Sequence, residues 1–220
     1  QVLKEYEGSG IELCCVGNYY PQGWEVEMIK NATGIQLKPG ELPSNRGILN
    51  FNVSTMVGIY KAIKYNMAVN KRFVTVTGDG INYPKNFRVR VGTSIKDLIP
   101  LCGGYKDPEK EKVFIMGGPM MGVSVPSDDI IVTKTVTSII ILNKTDYKEE
   151  PCVRCGSCVL SCPVHLEPVQ IMNAVKTLDK PRIKMLNPLR CIECGLCSYT
   201  CTSKIPVTDY IRKAKIIAKL

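Results

Sequence analysis

The sequence predicts a chain of the α/β plus α class: an α/β segment, a small sheet carrying one short helix, and a helical module organised by cysteines. Three observations carry this. Apolar residues recur at helical spacing in some zones and alternate in others, glycine and proline punctuate the zones, and eight of the eleven cysteines fall between Cys152 and Cys201. Hydrophobic residues make up 45% and charged residues 22% of the 220, the balance of an ordinary globular protein, which excludes disorder, a collagen repeat or a coiled coil as the main architecture. That length allows one large domain or two to three modules, at roughly 100 to 200 residues per domain.

In the first zone, residues 1–70, short apolar runs alternate with glycine and proline at Pro21, Gly23, Gly34, Pro39, Gly40, Pro43 and Gly47. Residues 56–67 have helical spacing, with Val57, Tyr60, Ala62 and Ile63 on one side, so the zone reads as α/β. The second zone, residues 71–145, is rich in strand signal. Residues 73–77 and 87–91 alternate with period two, residues 95–101 read as a short helix, and residues 113–116 and 139–142 read as buried strands. Its glycines form neither a GxGxxG nor a Walker loop, so they carry no nucleotide site by themselves. A charged stretch at 146–150 links to the third zone, residues 148–220. There Pro168 opens a helix with Val169, Met172, Val175 and Leu178 on one face, and Pro206 opens another with Val207, Tyr210, Ile211, Ala214 and Ile217.

Eight cysteines form two copies of one spacing: Cys152-x2-Cys155-x2-Cys158-x3-Cys162 followed by Pro163, and Cys191-x2-Cys194-x2-Cys197-x3-Cys201. Three cysteines at two-residue intervals let one tight loop wrap three corners of a cuboidal iron-sulfur core, while the fourth completes the core held by the other loop. The spacing therefore assigns Cys152, Cys155, Cys158 and Cys201 to one 4Fe-4S cluster, and Cys191, Cys194, Cys197 and Cys162 to a second. Zinc sites present separated cysteine pairs and have no use for a third cysteine two residues beyond each pair. Amides near Gly156, Ser157, Gly195 and Leu196 are expected to donate to the sulfurs. Cys14, Cys15 and Cys102 stand apart and read as small buried side chains, and the single histidine, His165, reads as surface or packing.

The formal charge of +9 is uneven: residues 148–220 carry twelve Lys and Arg against six Asp and Glu. Two thiolate-bound clusters would contribute about four negative charges, so much of the excess offsets the cofactors. Basic residues without interleaved aromatics or a recognised binding fold argue against nucleic acid. The remaining positive surface predicts an acidic redox partner docking on some of Lys176, Lys180, Arg182, Lys184, Arg190, Arg212, Lys213, Lys215 and Lys219. The apolar runs fall short of the ~18 residues of a membrane span, and residues 1–6 have no signal-peptide pattern. The start reads as the middle of a longer protein.

Four segments together resemble the RnfC family of the Rnf electron-transport complex: Tyr20-Pro-Gln-Gly-Trp-Glu25, Val74-Thr-Val-Thr-Gly-Asp79, Ile115-Met-Gly-Gly-Pro-Met-Met-Gly122, and the doubled cysteine motif with its Cys191-Ile-Glu-Cys-Gly-Leu-Cys197 copy. The resemblance implies three modules. These are the C-terminal part of a Rossmann-like flavin and NADH domain (1–70), a β-grasp domain of the soluble-ligand-binding SLBB type (71–145), and an α-helical two-cluster ferredoxin domain (148–220). It implies an electron-transfer iron-sulfur subunit that relays electrons between an NADH and flavin site and a redox partner. The implied partners are Rnf subunits, ferredoxin or a soluble reductase, in the cytoplasm or as a peripheral subunit on the cytoplasmic face of a membrane.

The family's flavin contacts map to Tyr20, Gly23 and Glu25 in one segment and to Asn52, Val53 and Thr55 in another. Alone, these are a β-turn and a helix start. The family's glycine-rich phosphate loop has no counterpart in this sequence, so FMN and NADH are expected in the full-length parent, with no tight binding by these residues alone. Trp24 replaces a small residue, residues 135–138 lack a glycine, and Thr202 rather than proline follows Cys201. These departures point to a diverged paralogue such as those serving proline reductase or cobalamin reductase. A docking module without a direct electron role is the remaining alternative.

Overall fold

The computed structural model describes residues 2–38 and 40–219, with side chains from Lys4 onward; the punctuation expected at Pro39 lies outside the described residues. The chain divides into two units, Gln1–Met56 and Val57–Leu220. In the first, helix α1 (Glu25–Thr33) has Glu25 and Glu27 in its first turn, where the helix dipole favours them, and ends at left-handed Gly34, whose N–H closes on the Lys30 carbonyl at 2.8 Å. Helix α2 (Val53–Tyr65) starts where the Asn52 side chain accepts from the Ser54 amide at 2.9 Å. The α/β reading of residues 1–70 is thus met by helices alone. The apolar stretches around Ile11, Leu13, Leu49 and Phe51 remain exposed and form no strand among the described residues. The face read on α2 is exposed too, with no residue of that helix buried.

Five strands form one mixed sheet in the order β2-β1-β5-β3-β4: β1 (Lys71–Thr77), β2 (Lys85–Arg90), β3 (Lys112–Met116), β4 (Val123–Val125) and β5 (Ser138–Asn143). The central pair, β1 and β5, is parallel, with Val76 opposite Ile139, and the remaining pairings are antiparallel. Alternation on β1 puts Val74 and Val76 inside and Phe73 outside, whereas Ile139, Ile140 and Ile141 of the central β5 are all buried. Helix α3 (Ile95–Leu98) lays Ile95 and Leu98 on the same core, which includes Cys102. The sheet with its short helix matches the small sheet carrying one short helix that the sequence suggests, with the three-residue β4 added to the strands foreseen. Gly78, at φ 123°, crosses against β5 so closely that a Cβ would overlap the Ile141 carbonyl oxygen.

The C-terminal part is helical. Single-turn helices α4 (Ser157–Leu160) and α7 (Leu196–Tyr199) each follow a left-handed glycine, Gly156 and Gly195. Helices α5 (Pro168–Lys176), α6 (Lys180–Met185) and α8 (Val207–Lys219) enclose a core of Ile171, Met172, Ile183, Ile211 and Ala214. The sequence reading missed α6, whose start is capped by Asp179 accepting from the Arg182 amide. The two copies of the cysteine spacing are therefore also two copies of one structural unit: loop, single turn, then helix α5 or α8.

Candidate metal centres

Each copy begins with a loop that only a left-handed residue can close. Arg154 and Glu193 occupy equivalent places at φ 56° and 55°, and Gly156 and Gly195 follow at 78° and 81°. The tightened backbone directs successive cysteines to one side. The chain then turns through α4 or α7 and delivers its fourth cysteine across to the other copy. A cavity of about 390 Å³ is lined by Cys152, Cys155, Cys158 and Cys201, and a second, of about 10 Å³, by Cys162, Cys191, Cys194 and Cys197. Each cavity thus takes three cysteines from one copy and the fourth from the other. None of these eight cysteines is in a disulfide.

The donor set suits an iron-sulfur group. Four thiols line the first cavity beside Arg154, Gln170, Asn173, Arg182, Thr202 and Ser203, and no carboxylate or imidazole lines it. Glu193, beside the second, is held by Arg212 at 3.0 Å and Lys215 at 2.6 Å, which keep its carboxyl below the usual range. Backbone N–H groups aim at the sulfurs: Leu166 donates to Cys162 Sγ and Glu193 to Cys191 Sγ, both at 3.3 Å. The amides of Ser157 and Leu196 act likewise on Cys155 and Cys194, as the sequence led us to expect. Among the described residues, no group of three or more His, Cys, Asp or Glu is gathered about a single metal ion.

The electrostatics differ between the copies. Cys155 is exposed, and the Ser157 hydroxyl and amide lower its thiol. Burial raises Cys158, Cys191 and Cys194, and pushes the Cys197 thiol up to about 11. Thr208, which the sequence reading missed, lies 3.4 Å from Cys197 Sγ through its hydroxyl. Its equivalent in the first copy is Val169, also at the cavity wall. No spacing rule marks such a residue, because it reaches the sulfur from the helix that follows.

His165 is exposed, in keeping with a surface role. Cys102 is buried, and burial raises its thiol. Cys14 and Cys15 correct the expectation: both are exposed, because no sheet forms over residues 11–17 to cover them.

The residues mapped as flavin contacts lie at the surface of the first unit. Tyr20 is 43% exposed, Gly23 closes the turn, and Glu25 opens α1. Asn52 caps α2, and Val53 and Thr55 are exposed in its first turn. They form the turn and the helix start that they are alone. Gln22, inside that turn, is buried, with both side-chain polar atoms unpartnered among the described residues.

Comparison with known proteins agrees with this geometry. Residues 73–124 match the SLBB domain family, and residues 151–205 the 4Fe-4S dicluster domain family. Over 168 residues (75% of this chain) the sequence is 39% identical to the RnfC subunit of the proton-translocating ferredoxin:NAD(+) oxidoreductase complex of Clostridium ljungdahlii. Over 166 residues it is 37% identical to the corresponding subunit of the Na(+)-translocating complex of Acetobacterium woodii, and over 94% of its length it is 32% identical to that of the ion-translocating oxidoreductase complex of Buchnera aphidicola. The chain is a relative of RnfC. It carries the SLBB and 4Fe-4S dicluster signatures. It spans 36%, 37% and 44% of the length of these three relatives. Among the described residues, no helix is long and apolar enough to cross a membrane.

Proposed function

We propose that this RnfC-like chain holds two 4Fe-4S clusters, one on Cys152, Cys155, Cys158 and Cys201 and one on Cys191, Cys194, Cys197 and Cys162. Their role is to relay electrons between an NADH and flavin site in the full-length parent and a redox partner. The observation that supports this is the division of the eight cysteines between two cavities in the crossed pattern. Bound clusters supply one-electron transfer. The chain's residues ligate, donate N–H bonds to the sulfurs and exclude water. Arg212 and Lys215, already committed to Glu193, offset negative charge beside the second site.

For the flavin end, the reading gives Tyr20, Gly23, Glu25, Asn52, Val53 and Thr55 to an FMN surface that the parent's Rossmann-like domain completes. The unpartnered Gln22 amide in the same turn supports this, since a buried polar group without a partner is costly unless a ligand meets it. The module boundaries at 1–70, 71–145 and 148–220 belong to the same reading. So do partners among Rnf subunits, ferredoxin or a soluble reductase, and a peripheral place on the cytoplasmic face of a membrane. Anaerobically purified protein should contain about eight iron and eight sulfide per chain and a visible absorption that bleaches on reduction. Stoichiometric zinc without sulfide would overturn the assignment.

A further inference from the structure

The two cysteine units are built alike yet covered differently. In the first, Cys152, Val153, Arg154 and Cys155 are all exposed. In the second, Cys191, Ile192 and Glu193 are half-buried, and Cys194 and Cys197 are each only 7% exposed. The paired glycines locate the cause. Around Gly156, a Cβ would find nothing within 4 Å. At Gly195, of the same backbone conformation, a Cβ would come 2.7 Å from the Met120 carbonyl oxygen and 3.5 Å from the Met120 Cε. Met120 belongs to the sheet, in the turn joining β3 to β4.

That turn is fixed by its own backbone. The Gly117 N–H donates to the Ser138 carbonyl and the Ser138 hydroxyl to the Gly117 carbonyl, both at 2.8 Å. The Gly122 N–H closes the turn on the Gly118 carbonyl, also at 2.8 Å. A Cβ at Gly122 would press on the Gly118 oxygen and the Ile115 side chain. A turn anchored to β5 in this way presents Met120 at a set height, and only a glycine at 195 leaves room for it. On the other side of the loop, Glu193 is bridged to α8 through Arg212 and Lys215. The second cysteine loop is thus held between α8 and the sheet.

We infer that the 117–122 turn of the sheet is the cover of the second cysteine site, with Met120 as its positioning residue. The first site, at Cys152 and Cys155, is then the one open to solutes and redox partners. The inference rests on the two-cluster reading for what the sites hold, but not for which of them is covered. Met120 acts without ligating: it excludes water and fixes the loop that carries Cys194. The sheet therefore has a task beyond any ligand of its own, because whatever displaces its turn opens one cluster and leaves the other unchanged.

The test uses the whole chain, purified anaerobically, with iron and sulfide counted first. Iron release to a polar chelator is followed over time, and thiol alkylation by iodoacetamide is mapped by mass spectrometry on the same preparations. Release should come in two equal phases, with Cys152 and Cys155 alkylated in the fast one and Cys191, Cys194 and Cys197 in the slow one. Met120→Gly and Gly195→Ala should speed the slow phase about tenfold and leave the fast phase unchanged. Met120→Leu should restore protection. Gly156→Ala carries the same backbone strain without the contact and should leave the slow phase alone. A single phase, or a slow phase indifferent to Met120→Gly and Gly195→Ala, overturns the inference while the cluster reading stands. If iron and sulfide are absent, the cluster reading fails and the alkylation map still decides: equal rates at Cys155 and Cys194 overturn the cover, and unequal rates sensitive to Met120→Gly uphold it.

Discussion

The Ser161 hydroxyl meets the Thr200 hydroxyl at 3.2 Å, and the two residues occupy the same place in the two cysteine units. A bond between equivalent positions marks the point where the units cross. The next residue in each unit is the fourth cysteine, Cys162 or Cys201, and each lines the cavity of the other unit. The crossing predicts how ligand loss is felt. Cys201→Ser should remove or alter the cluster on Cys152, Cys155 and Cys158 and spare the one on its sequence neighbours, and Cys162→Ser should do the reverse. Electron paramagnetic resonance of the reduced protein distinguishes the two. Damage confined to the sequence-adjacent cluster would contradict the crossed assignment.

Thr208 sets the two sites apart chemically. Its N–H donates to Ser198 Oγ at 2.9 Å, and the two hydroxyls lie 2.9 Å apart. If the Ser198 hydroxyl donates to Thr208 Oγ1, the Thr208 proton is left pointing at Cys197 Sγ. Donors to cluster sulfurs favour the reduced form, so Thr208→Val, which copies Val169 of the first unit, should lower the potential of the second cluster and leave the first where it was. A redox titration read by electron paramagnetic resonance measures both. A shift of the first cluster alone would exclude this role for Thr208.

The sheet gives a stability prediction. Gly78→Ala forces a methyl group into the Ile141 carbonyl at a left-handed φ, and should cost about 3 kcal/mol in urea unfolding, at the upper end of ordinary point mutations. Gly104→Ala, also at positive φ but with nothing within 4 Å, should cost about 1 kcal/mol. Equal costs at the two positions would mean that the Gly78 crossing is loose.

Tyr105 gives a pH prediction. Its hydroxyl donates to Asp128 at 2.7 Å, and burial together with that carboxylate raises its pKa. The neutral form is therefore favoured in the folded chain. Its contribution is fully present below the ordinary tyrosine value of about 10, and is lost as pH rises through the raised folded value, because the unfolded chain ionises first. Thermal stability should fall from about pH 10 upward, and Tyr105→Phe should flatten that fall while lowering stability at neutral pH. An unchanged alkaline slope in Tyr105→Phe would assign the fall to other groups.

The legible parts of the chain are those where spacing dictates geometry. The doubled cysteine spacing implied the crossed cavities, the period-two runs gave β1 and β2, and Pro168 marked the start of α5. The covering of the sites was not legible, since Met120 and Gly195 meet through the fold and share no local pattern. Thr208 was hidden for the same reason. Cys14 and Cys15 were read as buried from residue type alone, and residue type does not say whether an element covers the segment; among the described residues none does, and both are exposed. The short α6 was missed because its apolar stripe is too brief to show a period.

Side-chain geometry also narrows the basic docking face. Arg212 and Lys215 are committed to Glu193, and Lys176 lies 3.6 Å from Glu149, so these three serve the fold first. Arg190 donates to the Val164 carbonyl. Lys180, Arg182 and Lys184 are exposed on α6, and Arg182 lines the open cysteine cavity together with exposed Arg154. Positive charge thus gathers around the first site, on a chain that keeps about +5 after the clusters are counted. A field of one sign steers an oppositely charged partner and is screened by salt over roughly 10 Å at 0.1 M, so its effect lies in the association rate. Electron transfer from a reduced acidic ferredoxin should slow at least tenfold between about 0.01 M and 0.5 M salt. Arg154→Glu with Lys180→Glu and Lys184→Glu should reproduce the high-salt rate at low salt, whereas Lys213→Glu, on α8, should change it little. A rate independent of ionic strength in stopped-flow measurements would leave these residues as a solvated face and remove the docking role.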